Sequence, residues 1–268
     1  DTGPAYGLRA FLSLDNSGII AAYAKGSAFG AATEQKDVAI TNSGTIAAKA
    51  ITSSDPSASG GAHALRMSNS GVVTNTASGV IYAEASQYAI AVEYGRGGFP
   101  YADPIQMTNH GLIEAVVTDA GRSAIGIKAA NLGVEYFTLI NDGTIRADRA
   151  IYAPSAPSEI FTSSYQQGVQ TIHNLAGGLI DGDVLLDRGD DVLENAGQII
   201  GLVSMGEGND RVDSAAGSID GVVDLGLGQD SFTGGAGTDA ARGGLGNDTM
   251  AGGNGADLLI GDGNDDWL

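Results

Sequence analysis

Short apolar stretches punctuated by glycine, asparagine, serine and aspartate run the length of this chain. Within "DVAITN", "ALRMSN", "PIQMTN" and "FTLIN" apolar and polar positions alternate, the period of a half-buried β-strand. A fixed phrase accompanies these stretches: asparagine, a short residue, glycine, any residue, then Ile or Val. It stands as "NSGII" at Asn16, "NSGTI" at Asn42, "NSGVV" at Asn69, "NHGLI" at Asn109 and "NDGTI" at Asn141. Looser forms follow as "NLAGGLI" at Asn174, "NAGQII" at Asn195 and "SAAGSI" at Ser214. The intervals are 26, 27, 40, 32, 33, 21 and 19 residues. Between the phrases "QYAIAVEY", "RSAIGIKA" and "DRAIYAPS" supply a second strand signal. Helical periodicity is weak throughout, and no helix cap precedes an amphipathic run.

Two or three short strands per period predict the coils of a right-handed parallel β-solenoid. Stacked coils set each corner about 4.8 Å above its predecessor. Each asparagine side chain then hydrogen-bonds to its equivalents, glycine supplies a corner with φ > 0, and the following Ile or Val points inward. The interval of 40 residues, which contains "EYGRGGFPYADP", is read as a loop bulging from one coil. A β-sandwich also has many short strands but gives no reason for an Asn-x-Gly corner to recur in register.

Composition sharpens this picture. The chain has 268 residues, 43% hydrophobic but only 6% aromatic, and 42 glycines, so a thin core rich in small residues is expected. The net charge is −19, and residues 181–268 hold 18 Asp and Glu against Arg188, Arg211 and Arg242. That polarity favours cations and disfavours nucleic acid and anionic membranes as partners. With no cysteine there is neither a disulfide nor a thiolate metal site, and no apolar run is long enough for a transmembrane helix. A start at Asp1 without methionine or signal-like segment reads as a processed or trimmed chain.

From about residue 181 the period contracts and acidic loops enter, dividing the chain into an asparagine-cornered part, 1–180, and a shorter-coiled part, 181–268, stacked continuously on it. "DRGDDVLEN", "GEGNDRVDS" and "GLGQDSFTG" align Asp191, Asp210 and Asp230, each two places before an apolar residue (Leu193, Val212, Phe232). Then "GGAGTDAAR", "GGLGNDTMA" and "GGNGADLLI" place Asp239, Asp248 and Asp257 nine residues apart. "GDGNDDWL" follows one residue short, with Asp265 in the equivalent place. Calcium takes six to eight oxygens at about 2.3–2.6 Å, and glycine turns can aim backbone carbonyls at one point. Stacked carboxylates would otherwise repel by roughly 4 kcal/mol per close pair.

These nonapeptides resemble the calcium-binding repeat of RTX proteins over residues 234–268, and more weakly back to about 187. The asparagine-cornered part resembles the solenoids of autotransporters and haemagglutinins. The RTX resemblance implies a parallel β-roll with two nonapeptides per coil and several calcium ions between stacked turns. It assigns as ligands Asp239, Asp248, Asp257 and Asp265 with Gly235, Gly237, Gly244, Gly246, Gly253, Gly255, Gly261 and Gly263. The spacing sets Asp239 beside Asp257 and Asp248 beside Asp265, and extends one acidic edge through Asp191, Asp210, Asp230, Asp248 and Asp265. Ala241 stands where the repeat has a large apolar residue, and the loops before residue 234 lack the first glycine.

Catalytic signals are few. "DTG" at Asp1–Gly3 matches the aspartic-protease triplet but has no preceding apolar strand and no second copy. His63, His110 and His173 share no metal-ligand spacing, and the last two adjoin asparagine corners as outward turn residues. Some parallel β-helices act on polysaccharides, and the corresponding cluster here is Glu93, Tyr94, Arg96, Tyr101 and Asp103 in the expected bulge. The expectation is a non-enzymatic, secreted structural, surface or adhesive protein of a bacterium, with a polysaccharide lyase or epimerase as the alternative. RTX proteins leave by type I secretion; their usual C-terminal signal is not seen here. Neither end shows a capping helix, so end-to-end self-assembly is expected, with a cell-surface polysaccharide as a further partner.

Overall fold

The computed structural model describes residues 4–9, 13–50, 61–95, 105–129, 136–154 and 168–268. Every described strand pairing is parallel, and strands pair with their counterparts one coil away, as the sequence repeat predicts. Ten strands, from Ser13–Asn16 to Thr249–Ala251, form one face, here called the ladder face. A 17-stranded sheet forms the rest of the wall. It has a middle face, entered after each corner (Ile19–Ala24, Thr45–Ala50, Val80–Ala85, Leu112–Val117), and a third face (Ala5–Arg9, Ala28–Thr33, Gly61–Met67, Tyr88–Tyr94, Ile125–Ala129). Thr144–Tyr152 and Leu179–Leu185 run through both, which joins them into a single sheet.

Register explains the corner phrase. The Ile after each corner glycine stacks on its equivalent, in the column Ile20, Ile46, Ile81, Ile113, Ile145, Ile180, Ile199 and Ile219. All but Ile20 are buried, each worth about 2 kcal/mol of apolar transfer. On the ladder face Ile40, Val73, Met107, Leu139, Ile172, Leu193, Val212, Phe232 and Met250 form a matching inward column. Alanines such as Ala48, Ala83 and Ala115 fill the remaining inward positions, which keeps the core thin.

The asparagine ladder forms, with one member corrected. Each Nδ2 donates to the next Oδ1 at 2.8 Å along Asn16, Asn42, Asn75, Asn109, Asn141, Asn174 and Asn195, and Asn195 donates to Ser214 Oγ at 2.9 Å. Asn75 takes the place expected of Asn69, whose Nδ2 instead reaches the Glu34 carbonyl in an exposed turn. "NTASGVI" is a longer corner of the same type as "NLAGGLI": Asn75 and Asn174 donate to carbonyls four residues on, whereas Asn109 reaches one two residues on. With Asn75 in place the rungs are 26, 33, 34, 32, 33, 21 and 19 residues apart. The interval of 40 disappears; the segment expected to bulge lies, beyond Gly95, outside the described residues.

Coil length falls in two steps. After Asn174 the middle-face strand shortens, from six residues in Leu112–Val117 to three in Gln198–Ile200, and a glycine turn such as residues 208–210 joins Val203–Glu207 to Arg211–Asp213. After Ser218–Asp220 the middle face ends, and Ser231–Thr233 with Ala240–Leu245, then Thr249–Ala251 with Leu258–Gly263, make two-strand coils. The ladder face passes through both steps unbroken. Ala241 is buried and pairs with Val223 and Leu259, so it keeps the inward register at this change of coil.

Candidate metal centre

Short coils bring the acidic residues onto one edge. Asp191 Oδ1 accepts from the Gln170 amide at 2.7 Å, Asp210 Oδ1 from Asp191 N at 2.7 Å and Asp230 Oδ1 from Asp210 N at 2.7 Å. Asp248 Oδ1 accepts from Asp230 N and Asp266 Oδ1 from Asp248 N, both at 2.9 Å. One oxygen of each carboxylate is thus spent on the backbone of the preceding coil. The other oxygen, Oδ2 of Asp191, Asp210, Asp230 and Asp248, is buried with no partner. Such an atom is costly in a fold unless a cation or proton satisfies it.

The carboxyl groups register that cost. Burial pushes Asp191 up to about 8, offset by the Gln170 amide and reinforced by Asp210, Asp190 and Asp187. Burial likewise raises Asp210 to about 7 and Asp230 to about 6, and it raises Asp248. The gradient follows the neighbours. The residue five before each aspartate is Leu186, Met205 or Leu225 in the upper rungs, all buried, but glycine in the lower ones. A Cβ on Gly234, Gly243, Gly252 or Gly261 would stand 2.7, 2.3, 2.3 or 2.1 Å from the Oδ2 of Asp239, Asp248, Asp257 or Asp266. The first glycine of each repeat therefore makes room for the carboxylate of its own turn.

This geometry corrects the last rung. Asp266, not Asp265, stands below Asp248; Asp265 lies beside Asn247, whose Oδ1 accepts its amide at 3.2 Å. Strand register pairs Gly244 with Asp262 and Leu245 with Gly263, so Gly261 matches Gly243 and the final repeat is of full length. The positive-φ positions held by Gly244 and Gly246 pass to Asp262 (φ 67°) and Asn264 (φ 83°) rather than to Gly261 and Gly263. On the opposite edge Asp239 N donates to Asp257 Oδ1 at 3.0 Å, as the two-repeat coil predicts, and Asp239 Oδ2 accepts from Gly235 N at 2.9 Å. Gly253 and Gly255 have positive φ; Gly235 and Gly237 do not.

The turn glycines are required by stacking. A Cβ on Gly208, Gly228 or Gly246 would lie 1.8, 1.6 or 1.5 Å from the carbonyl oxygen of the glycine one coil before. Gly228 has φ 143° as well. Gly228→Ala is expected to destabilise the C-terminal coils by about 3 kcal/mol, read as a lower thermal midpoint by circular dichroism.

These donors suit a hard cation: buried carboxylate oxygens and turn carbonyls, with neither sulfur nor imidazole among them. Among the described residues no three His, Asp or Glu side chains converge on one point, so any ion here has at most two carboxylates and depends on backbone carbonyls for the remainder.

The second candidate cluster is differently placed. Arg96, Tyr101 and Asp103 lie outside the described residues, as does Asp1–Gly3. Tyr94 is fully buried against Phe137, at a ring separation of 5.7 Å, and belongs to the core rather than to a surface bulge. Glu93 stands on the third face with His63 Nδ1 at 2.9 Å, Lys128 Nζ at 3.1 Å and Arg66 Nε at 3.4 Å. Burial works to raise its carboxyl, but His63 and Lys128 outweigh it and hold the group down at about 2. His110 and His173 point outward, paired with Asp142 and Glu194.

No family model matches the chain, and neither the curated proteins nor the solved structures contain a match to it.

Proposed function

We propose that this chain is a calcium-stabilised β-solenoid that works outside a bacterial cell as a structural, surface or adhesive protein. The observation that carries the reading is the row of buried, unpartnered Oδ2 atoms on Asp191, Asp210, Asp230 and Asp248. Calcium supplies the charge that makes such a row favourable; Asp266, Asp239, Asp257 and the turn carbonyls of Gly244, Gly246, Gly253 and Gly255 are the further donors. Where calcium is scarce and the carboxylates are ionised the acidic coils repel and are weakened, and at millimolar calcium binding free energy adds to folding free energy. That linkage suits export of an unfolded chain through a type I channel.

A non-enzymatic role is supported by the state of Glu93. A carboxyl held at about 2 by two basic neighbours is a weak base and is no acid at neutral pH.

Trp267 supplies the test. It is the one tryptophan, it is 79% exposed, and its amide donates to the Asp248 carbonyl at 2.8 Å, so it reports on the last coil. Titrating calcium into chelated protein is expected to increase the β-sheet circular dichroism and shift Trp267 emission together, with magnesium ineffective. Spectra that stay unchanged to millimolar calcium would rule the reading out.

A further inference from the structure

Arginines elsewhere on the solenoid pair with acids: Arg146 with Glu114 and Asp181, Arg188 with Glu207, Arg211 with Glu194 and Asp213, Arg242 with Asp262. On the third face cations also rest on rings, Arg66 and Lys128 while pairing with Glu93. Arg9 lies 5.0 Å over Tyr6, Arg66 5.7 Å over Phe29 and Arg149 5.0 Å over Tyr152, while Lys128 lies 5.9 Å from the ring centre of Tyr88. The rings themselves stack up the coils, Tyr6 on Phe29 and Phe29 on His63, both at 5.0 Å. A guanidinium resting on a ring is held in place yet keeps its N–H fork for another acceptor.

We propose that the third face, from Ala5–Arg9 to the end of Thr144–Tyr152, binds an anionic polysaccharide laid along the solenoid axis. The inference rests on the adhesive reading above and names its ligand class. Strand register sets Arg9, Ala32, Arg66, Glu93, Lys128 and Tyr152 in one outward row. Cations therefore recur at every second coil, about 10 Å apart at the usual strand spacing. A glycan with one carboxylate or sulfate per disaccharide carries its charges at a comparable spacing. Nucleic acid does not: its phosphates follow one another about every 3.4 Å along a strand, and the net charge of −19 opposes so dense a polyanion.

Selectivity for anions follows from the single acid of the row. Glu93 is 9% exposed and already engaged by His63, Arg66 and Lys128, so it fixes the two cations in position and offers little charge to repel a ligand. Beyond Tyr152 the row loses its cations, passing to Leu185, Ser204 and Asp224 as the acidic coils begin.

The test is calorimetric titration of the full chain with a hyaluronan octasaccharide, which has one carboxylate per disaccharide, and with its carboxyl-reduced form. Binding is expected to the first, to weaken with added salt, and to be at least about tenfold weaker for the second. The double variant Arg9→Gln/Arg66→Gln, made on exposed side chains, is expected to lose about tenfold in affinity with an unchanged circular dichroism spectrum. Equal affinity for the two glycans, full affinity in the double variant, or tighter binding of a single-stranded oligothymidylate would each overturn the inference. Measurements with calcium and with chelator keep the two proposals separable: the row precedes Asp191, so glycan binding persists in chelator, and calcium can fail to fold the last coils while the glycan still binds.

Discussion

In chelator the C-terminal coils melt about 10 °C lower at pH 8 than at pH 5, and saturating calcium abolishes the difference. The sign follows from the acidic ladder. Asp191, Asp210 and Asp230 have ordinary values of 3.8 but folded values of about 8, 7 and 6. The folded state therefore holds protons that the unfolded chain has released. Its advantage is complete below about pH 4 and is lost as pH rises through 6, 7 and 8. Each unit is worth about 1.4 kcal/mol, and even a fraction of the summed shift accounts for the expected change in midpoint. Calcium replaces the proton as partner of the ionised Oδ2 atoms, so its stabilising effect grows across the same window. Glu84, Glu93 and Glu194 are lowered from 4.5, so what they contribute is present above that value and is lost only in stronger acid. Thermal melts by circular dichroism at the two pH values, with calcium and with chelator, check the result. A chelated protein equally stable at both would show that the ladder is neither buried nor strained as described.

Asn75→Ala is expected to destabilise the solenoid by about 4 kcal/mol, whereas Asn69→Ala changes it by less than about 0.5 kcal/mol. Asn75 Oδ1 accepts from Asn42, and its Nδ2 donates to Asn109 and approaches the carbonyls of Gly79 and Leu112. Truncation leaves a buried donor above and a buried acceptor below, and it opens space beside Gly79, where an added Cβ would stand 2.2 Å from Asn75 Oδ1. Asn69 has one exposed bond to a backbone carbonyl that water can replace. Chemical denaturation of both variants decides the matter, since the sequence phrase alone favours Asn69 as the rung.

The solenoid was legible because its repeat is enforced by contacts between identical residues. An asparagine that must bond an asparagine, and an isoleucine that must cover an isoleucine, leave their period in the chain. The two misplaced rungs share one cause. Glycine marks the register in most repeats, yet at Asn75 the corner glycine sits four residues on, at Gly79. In the last coil Asp262 and Asn264 adopt the positive φ that glycine has above. The orphaned oxygens were not legible at all, since acidic spacing says where carboxylates stack but not which oxygen the neighbouring amide takes. The third face was hidden for another reason. Tyr6, Phe29 and His63 are far apart in sequence, at intervals that match no motif, and only the coil lengths bring their rings together.

The direction of the asparagine ladder has an electrical consequence. From Asn16 to Asn195 each Nδ2–H points to the following coil, and from Asn42 to Asn195 each Oδ1 faces the preceding one. The side-chain amides are therefore dipoles aligned head to tail, a column of the kind that backbone amides form in a helix. Its positive pole lies at Asn195, and the coils stacked onto that pole are the ones crowded with carboxylates. The solenoid is thus an electret whose polarity matches the charge gradient of its own sequence.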